Sequence, residues 1–339
     1  MAKRLDVGII GAGRIGIVHA RTLAYRVPEA RVVAIADPKL ASAQALGAEL
    51  GIGRVSADYR SLVADPEIRA VVVCSSTDTH AEVVIAAARA GKHVFCEKPL
   101  DLDLGRIAEV QAAVDEARVK LQLGFNRRFD PDFAMVRRKV ADGTIGKPEL
   151  LRITSRDPAP PPIEYVRVSG GMFMDMTIHD FDMARFLLGE VEEVYVAAAS
   201  LVDPAIGRAG DVDTALITLR FANGALGCID NSRRATYGYD QRVEVLGSKG
   251  MVSNSNRTAH QVVASQADGI HGPLPLDFFM QRYTEAYEAE IRAFVKCIEA
   301  DDAPPVGGAD ARQATLLAHA ARRSLAEHRP VRLAELESR

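Results

Sequence analysis

Three side chains in the run GMFMDMTIHDFDMARFLLG, positions 171–189, can do acid–base chemistry: Asp175, His179 and Asp182. Their spacing of four and then three residues puts them on one face if the run is helical. An imidazole can take a proton near neutral pH, and an adjacent carboxylate can fix its tautomer and stabilise the cation that forms. That is half of an alcohol oxidation. Phe181, Ala184, Phe186, Leu187 and Leu188 crowd the other sides and Gly189 is a natural stop, so the pattern predicts one mostly buried helix over 171–189 with a polar stripe. Taken alone, the stretch reads more simply as a surface helix with solvated Asp and His. The rest of the chain decides against that.

A second candidate is Glu97-Lys98-Pro99, directly after the strand-like run at 93–96. Pro99 pushes Lys98 out of the helical region, so the lysine is presented from an extended backbone, and the Lys98–Pro99 bond is of the kind that can be cis. A lysine there can donate to a substrate hydroxyl, stabilise a developing alkoxide and lie near a nicotinamide ribose. An arbitrary EKP is better read as a solvated lysine before a helix-starting proline.

The elements that would position these groups begin at the N-terminus. The run DVGII at 6–10 is a short buried strand, followed at once by Gly11-Ala12-Gly13-Arg14-Ile15-Gly16 and a helical pattern at Ile15, Val18, His19, Thr22 and Leu23. A GxGxxG between strand and helix suits a dinucleotide. Its glycines permit the tight turn, close approach of a pyrophosphate and close helix packing, and the helix N-terminus offers free N–H groups. Asp37 ends the second strand (31–36), 21 residues after Gly16, where a carboxylate can accept from the adenosine ribose hydroxyls and repel a 2′-phosphate. The cofactor expected is therefore NAD, with Lys39 and Arg54 placed to soften the preference over NADP. A third strand at 70–75 ends at Ser75, and the polar turn Ser76-Thr77-Asp78-Thr79-His80 sits at its carboxyl end, where open α/β sheets place ligands. Ser75, Thr77, Thr79 or His80 can touch the cofactor; equally, Thr77 or Asp78 can simply cap the helix that follows. Strands at 93–96 and 121–125 complete a strand–helix rhythm that indicates a doubly wound parallel sheet.

After Gly146-Lys147-Pro148 the rhythm changes to strand-like segments at 149–155, 191–199, 214–221, 225–232 and 242–246, with Asn223-Gly224 a strong hairpin signal. The fold class expected is α/β: an N-terminal Rossmann domain over 1–124, and over 125–339 an α+β domain with a large, mostly antiparallel open sheet. One face of that sheet can cover the acid–base helix, and the other suits a subunit interface. The PAPPP run at 158–162 is a stiff loop that either walls the site or merely connects. Tyr237 and Tyr239 can donate to a ligand, although most strand tyrosines pack. Helical patterns at 283–298 and 310–327 should back the sheets, and 330–333 reads as a short edge strand.

The chain has 339 residues, 42 Lys and Arg against 45 Asp and Glu, and a formal net charge of −3. No basic patch suggests nucleic acid or an acidic membrane surface. The N-terminal apolar run is far too short for a signal peptide or a span, and the four cysteines form no CxxC pair and have no His at metal-ligand spacing. The expectation is reduced thiols, no metal and a cytoplasmic setting.

In order, the glycine loop, Asp37, Glu97-Lys98-Pro99, Gly124-Phe-Asn-Arg-Arg-Phe-Asp130 and Asp175…His179 resemble the Gfo/Idh/MocA oxidoreductases. Within that family the segments 94–100, 124–129, 237–240 and Gln281-Arg-Tyr…Ala286-Tyr287 look most like members that oxidise inositol. The resemblance implies Lys98, Asp175 and His179 as the catalytic trio, with His179 as proton acceptor. It implies Asp182, Arg127 and Asp157 as polyol contacts, to which the Tyr239 reading is added, and Glu97 and Lys98 beside the cofactor. Ser155 and Asp157 stand where some members carry His and Asn, which leaves the accepted hydroxyl pattern open. The activity implied is NAD-dependent oxidation of a cyclic polyol, myo-inositol to 2-keto-myo-inositol, in a homotetramer. Scyllo-inositol, D-chiro-inositol or an aldose are alternative substrates. A regulatory protein that senses NAD or sugar without turnover is the alternative of another class.

Overall fold

In the computed structural model, residues 4–337 are described. The first sheet contains β1 (Leu5–Ile10), β2 (Ala30–Ala36), β3 (Val55–Ser56), β4 (Ala70–Val73), β5 (His93–Cys96) and β6 (Leu121–Leu123). Its order is β3-β2-β1-β4-β5-β6 and every pairing is parallel. β1 and β4 are buried along their whole length, as continuous Val and Ile runs must be when helices cover both faces. The chain order reverses beside β1, so the loops after β1 and β4 meet at a topological switch point, where such sheets bind ligands. The short edge strand β3 has no sequence signal, because two residues show no periodicity.

The second sheet contains β7 (Pro148–Arg156), β8 (Val191–Ala199), β9 (Thr214–Phe221), β10 (Leu226–Ser232), β11 (Asp240–Gly247) and β12 (Gly250–Ser253). A small hairpin, β13 (Ala264–Gln266) with β14 (Gly269–His271), stands apart, and β15 (Val331–Arg332) is the expected edge strand. The order is β12-β11-β7-β10-β9-β8-β15. All its neighbours are antiparallel except β7 and β10, which run parallel. β9 and β10 turn at Asn223-Gly224, with Gly224 at φ 87° and the Asn223 side chain accepting from Ala225 N–H. Alternate residues Ala215, Ile217, Leu219 and Phe221 are buried, while Leu216, Thr218 and Arg220 are exposed, so this sheet has one covered and one open face.

The chain forms two compact units, but no single cut separates them. The first runs through Phe129 and takes back Glu285–Thr315; the second is Asp130–Thr284 with Leu316 onward. The division expected after residue 124 therefore misses a return. The helix Thr284–Glu299 inserts Ile291, Phe294, Val295, Cys297 and Ile298 into the core around β1, β4 and β5, because the first sheet needs apolar cover that its own crossovers do not complete. All four cysteines are free thiols. Among the described residues no helix is long and apolar enough to cross a membrane.

Candidate active site

The nucleotide loop follows from three glycines with different duties. Gly11 has φ 99°, and a Cβ there would lie 2.5 Å from the Cys74 carbonyl group. A Cβ on Gly16 would stand 1.9 Å from the Gly11 carbonyl oxygen, so the first turn of the helix Arg14–Arg26 can rest on the loop only without a side chain. Among the described residues a Cβ on Gly13 would meet nothing within 4 Å, and Gly13 caps that helix with no side-chain acceptor for its first N–H groups. Open space before an uncapped helix N-terminus fits a pyrophosphate. Asp37 is set against the same loop: its carboxylate accepts from Ala12 N–H at 2.7 Å and from Lys39 N–H at 2.8 Å. One acceptor position on each oxygen is thus taken, and one on each is left for ribose hydroxyls. The residues present fit NAD.

Farther along the carboxyl edge, Ser75 and Thr77 are half-buried, and Thr79 is held by the Ser75 hydroxyl at 2.7 Å. Neither Thr77 nor Asp78 is the cap of the helix Thr77–Arg89; that position is Ser76, with no side-chain bond. His80 turns inward. It is 2 % exposed, and its Nδ1 and Nε2 face the carbonyl oxygens of Pro99 and Ser75 at 2.8 and 3.0 Å. The imidazole ties two loops together from beneath. Glu97 likewise turns inward, to His19 at 2.6 Å, and its second oxygen accepts from Lys98 N–H at 3.3 Å. Lys98 is half-buried and its bond to Pro99 is cis. Arg127, in the short helix Asn126–Phe129, is buried in the same unit.

In the second unit the run 171–189 is two helices, Met172–Asp175 and Ile178–Leu188, not the single helix expected. The Met172 carbonyl accepts from both Met176 N–H and Thr177 N–H, a widened turn, and His179 N–H then returns to the Met176 carbonyl. Asn231, on the covered face of β10, fixes this break. It accepts from the Thr177 hydroxyl at 2.7 Å and donates to Asp180 at 2.9 Å. His179, half-buried, is carried between those two anchors. His179 and Asp182 keep their three-residue spacing on one helix, with Asp182 buried, whereas Asp175 stands before the break. Asp175 accepts from the Tyr165 hydroxyl at 2.8 Å and from Arg233 at 3.3 Å. Arg233 is buried and also approaches Asp211 at 4.0 Å, whose carboxylate accepts from Met172 N–H. One guanidinium therefore faces carboxylates at both ends of the helix Met172–Asp175.

Asp157 is half-buried at the end of β7 and bonds through its backbone to Ser232 and Ala235. Tyr239 is buried edge-on to Phe278 and Tyr283, while Tyr237 donates to Asp240 at 2.6 Å and accepts from Arg156. Sequence reasoning misses Tyr165, Arg233 and Asn231, which had no helical or strand spacing to Asp175 or His179. It also passes over Glu290, although a charged residue among Ala286, Tyr287, Ile291 and Phe294 on the apolar side of a helix is a visible anomaly.

A parallel sheet with a nucleotide loop at its switch point, joined to an open-faced sheet carrying an anchored imidazole, defines a nicotinamide-dependent oxidoreductase. Residues 5–125 match the model described as "Oxidoreductase family, NAD-binding Rossmann fold", and residues 133–253 match the "GFO/IDH/MocA C-terminal domain". The chain belongs to the Gfo/Idh/MocA family and binds NAD. It is 51% identical to myo-inositol 2-dehydrogenase of Thermotoga maritima over 333 residues, 98% of this chain and 99% of that one. It is 49% identical to inositol 2-dehydrogenase of Rhizobium meliloti over 328 residues, 96% and 98% of the two chains. The crystal structure of a probable dehydrogenase from Thermotoga maritima superposes with TM-score 0.96 at 51% identity, covering 98% of this chain and 99% of that chain.

Proposed function

We propose that this chain is an NAD-dependent dehydrogenase of a cyclic polyol, oxidising myo-inositol to 2-keto-myo-inositol. What carries the reading is a loop that fits NAD together with an anchored, half-buried His179, in a chain about half identical over nearly its full length to a myo-inositol 2-dehydrogenase.

NAD, when bound, supplies the hydride acceptor. In the first unit, Gly11, Gly13, Arg14, Ile15 and Gly16 receive the pyrophosphate, Asp37 the adenosine ribose, and Ser75 and Thr77 the edge of the nucleotide. Lys98 polarises the reacting hydroxyl and stabilises the alkoxide as it develops. In the second unit, His179 takes the hydroxyl proton, and Asp175, held by Tyr165 and Arg233, orients the imidazole. Asp182, Asp157, Tyr239 and Arg127 are assigned to the neighbouring hydroxyls. A wrong epimer leaves some of these polar groups unpaired and is rejected strongly. Apart from Lys98, which serves the substrate, the residues up to 124 serve the cofactor, and the other substrate contacts come from residues after 124.

The open face of the second sheet supports a homotetramer. Tyr195, Leu216, Leu226, Leu246 and Met251 are exposed there, and register aligns Leu226 and Leu246 with Leu150 between them. A row of aliphatic side chains on a sheet face suits burial against another copy. The balanced charge and free thiols support a cytoplasmic setting.

The test is formation of NADH from NAD, or of NADPH from NADP, with myo-inositol, scyllo-inositol, D-chiro-inositol and glucose. The expected result is the highest kcat/KM for myo-inositol with NAD. Turnover of glucose alone, or of no polyol by NAD-bound protein, overturns the reading.

A further inference from the structure

Behind the Glu97–Lys98–Pro99 turn lies a sealed cluster that the mechanism above does not use. His19 comes from the helix Arg14–Arg26, Glu97 follows β5, and Glu290 comes from the helix Thr284–Glu299, all within the first unit. Their relative exposures are 0%, 8% and 0%. His19 Nε2 lies 2.6 Å from Glu97 Oε1 and 4.0 Å from Glu290 Oε1. Phe95 and Tyr287 wall the imidazole edge-on, with ring centroids at 5.0 and 5.5 Å. The buried Cys74 and Cys96 thiols are also titratable and interact electrostatically with the cluster, Cys74 with both carboxyl groups and Cys96 with Glu97. Among the described residues neither Glu290 carboxyl oxygen has a hydrogen-bond partner.

These three side chains could be taken for a metal site, since their ligand atoms lie within 4.8 Å of one another. The distances argue otherwise. Two ligands of a tetrahedral zinc stand about 3.3 Å apart, and His19 and Glu97 are already in direct contact at 2.6 Å. The cluster is better filled by protons. Two ionised carboxylates beside one imidazole would leave a buried negative charge with no donor side chain of its own among the described residues, which a low-dielectric interior disfavours. Burial, helped by the charge on Glu97, pushes the Glu290 carboxyl well above its ordinary range. The cluster also reaches the chemistry, because the second Glu97 oxygen accepts from Lys98 N–H.

We propose that His19 and Glu290 are positioning residues for Lys98: the imidazole pins Glu97 beneath the turn, and Glu290 closes the pocket as a neutral carboxylic acid. This rests on the role given to Lys98 above. Ionising Glu290 would place a second negative charge against Glu97 and loosen the turn, so the protein carries a built-in limit on alkaline activity.

The experiment combines unfolding, infrared and kinetic readouts on the full-length protein. A carboxyl whose folded pKa is raised lowers stability as pH climbs from its unfolded toward its folded value, because only the unfolded chain ionises there. Glu290→Gln removes that loss, so the Tm of the variant should gain on wild type progressively as pH rises. It should also lose the carbonyl stretch of a protonated carboxylic acid and the alkaline limb of the kcat profile. His19→Ala and Glu97→Gln should each lower kcat about tenfold while changing NAD affinity less than about threefold. A Tm for Glu290→Gln that falls further below wild type with rising pH, or no protonated-acid band in wild type, overturns the neutral acid. Full kcat in both His19→Ala and Glu97→Gln overturns the positioning role, and a Tm raised by added zinc overturns the choice of protons over metal. If the wild type oxidised no polyol, the proposed function would fall while the unfolding and infrared arms still decided the state of Glu290.

Discussion

Replacing Asp37 by Asn tests the nucleotide site at its most constrained point. The carboxylate accepts one backbone N–H on each oxygen, from Ala12 at 2.7 Å and Lys39 at 2.8 Å. An amide of the same shape has only one oxygen, so one of those N–H groups must face an NH2 donor, and one of the two ribose acceptor positions is lost. A hydrogen bond to a charged acceptor is worth about 1.5–3 kcal/mol, and the lost ribose bond therefore weakens NAD by roughly 10- to 150-fold. The binding of NADP should weaken far less, because the charge that repels its 2′-phosphate goes at the same time. The NAD-to-NADP affinity ratio should then fall by at least about tenfold. Titration calorimetry with NADH and NADPH on wild type and Asp37→Asn measures both numbers. A mutant that binds NADH within about twofold of wild type with an unchanged ratio would refute the reasoning. A small loss of Tm is compatible with it, since the Ala12 anchor is also weakened.

Two other outcomes are expected. Lys98→Ala should lower kcat by about two orders of magnitude or more with NADH affinity nearly intact, as read by nucleotide fluorescence titration and steady-state kinetics; an unchanged kcat would remove Lys98 from the chemistry. Asp213, buried in the loop before β9, accepts from the N–H groups of Leu201, Val202 and Asp203 and from the Thr214 hydroxyl. Burial pushes its carboxyl up, but those donors outweigh burial and its pKa lies below the ordinary value. Its stabilisation is therefore present above the unfolded pKa and lost as pH falls through the folded one. Asp213→Asn should cost on the order of 3 kcal/mol near neutral pH, in denaturant unfolding, with the gap closing in acid; a gap that widens in acid would contradict the sign.

Much of this protein is legible without coordinates, and the reason is locality. The GxGxxG loop depends on the φ of Gly11, on the contact of Gly16 with that same turn, and on the open space at Gly13, all within six residues. Asp37 follows from the length of one strand–helix–strand unit, and the β9–β10 hairpin from Asn223-Gly224. The alternation in β9 and the continuous burial of β1 separate an open-faced sheet from a doubly covered one.

What tertiary structure decided involves partners that no local pattern can specify. Helical spacing alone joins Asp175, His179 and Asp182 on one face. Asn231, 54 residues from Thr177, instead holds a widened turn between Asp175 and His179. Arg233 and Tyr165 become the partners of Asp175 because the end of β10 and a short helix converge on it. The parallel pairing of β7 with β10 arises from chain crossings, and the return of Glu285–Thr315 to the first unit supplies apolar cover to a sheet built hundreds of residues earlier. That return also brings Glu290 beside His19. Local sequence encodes turn geometry and the periodicity of burial; which buried polar groups meet is settled only when distant segments share one core.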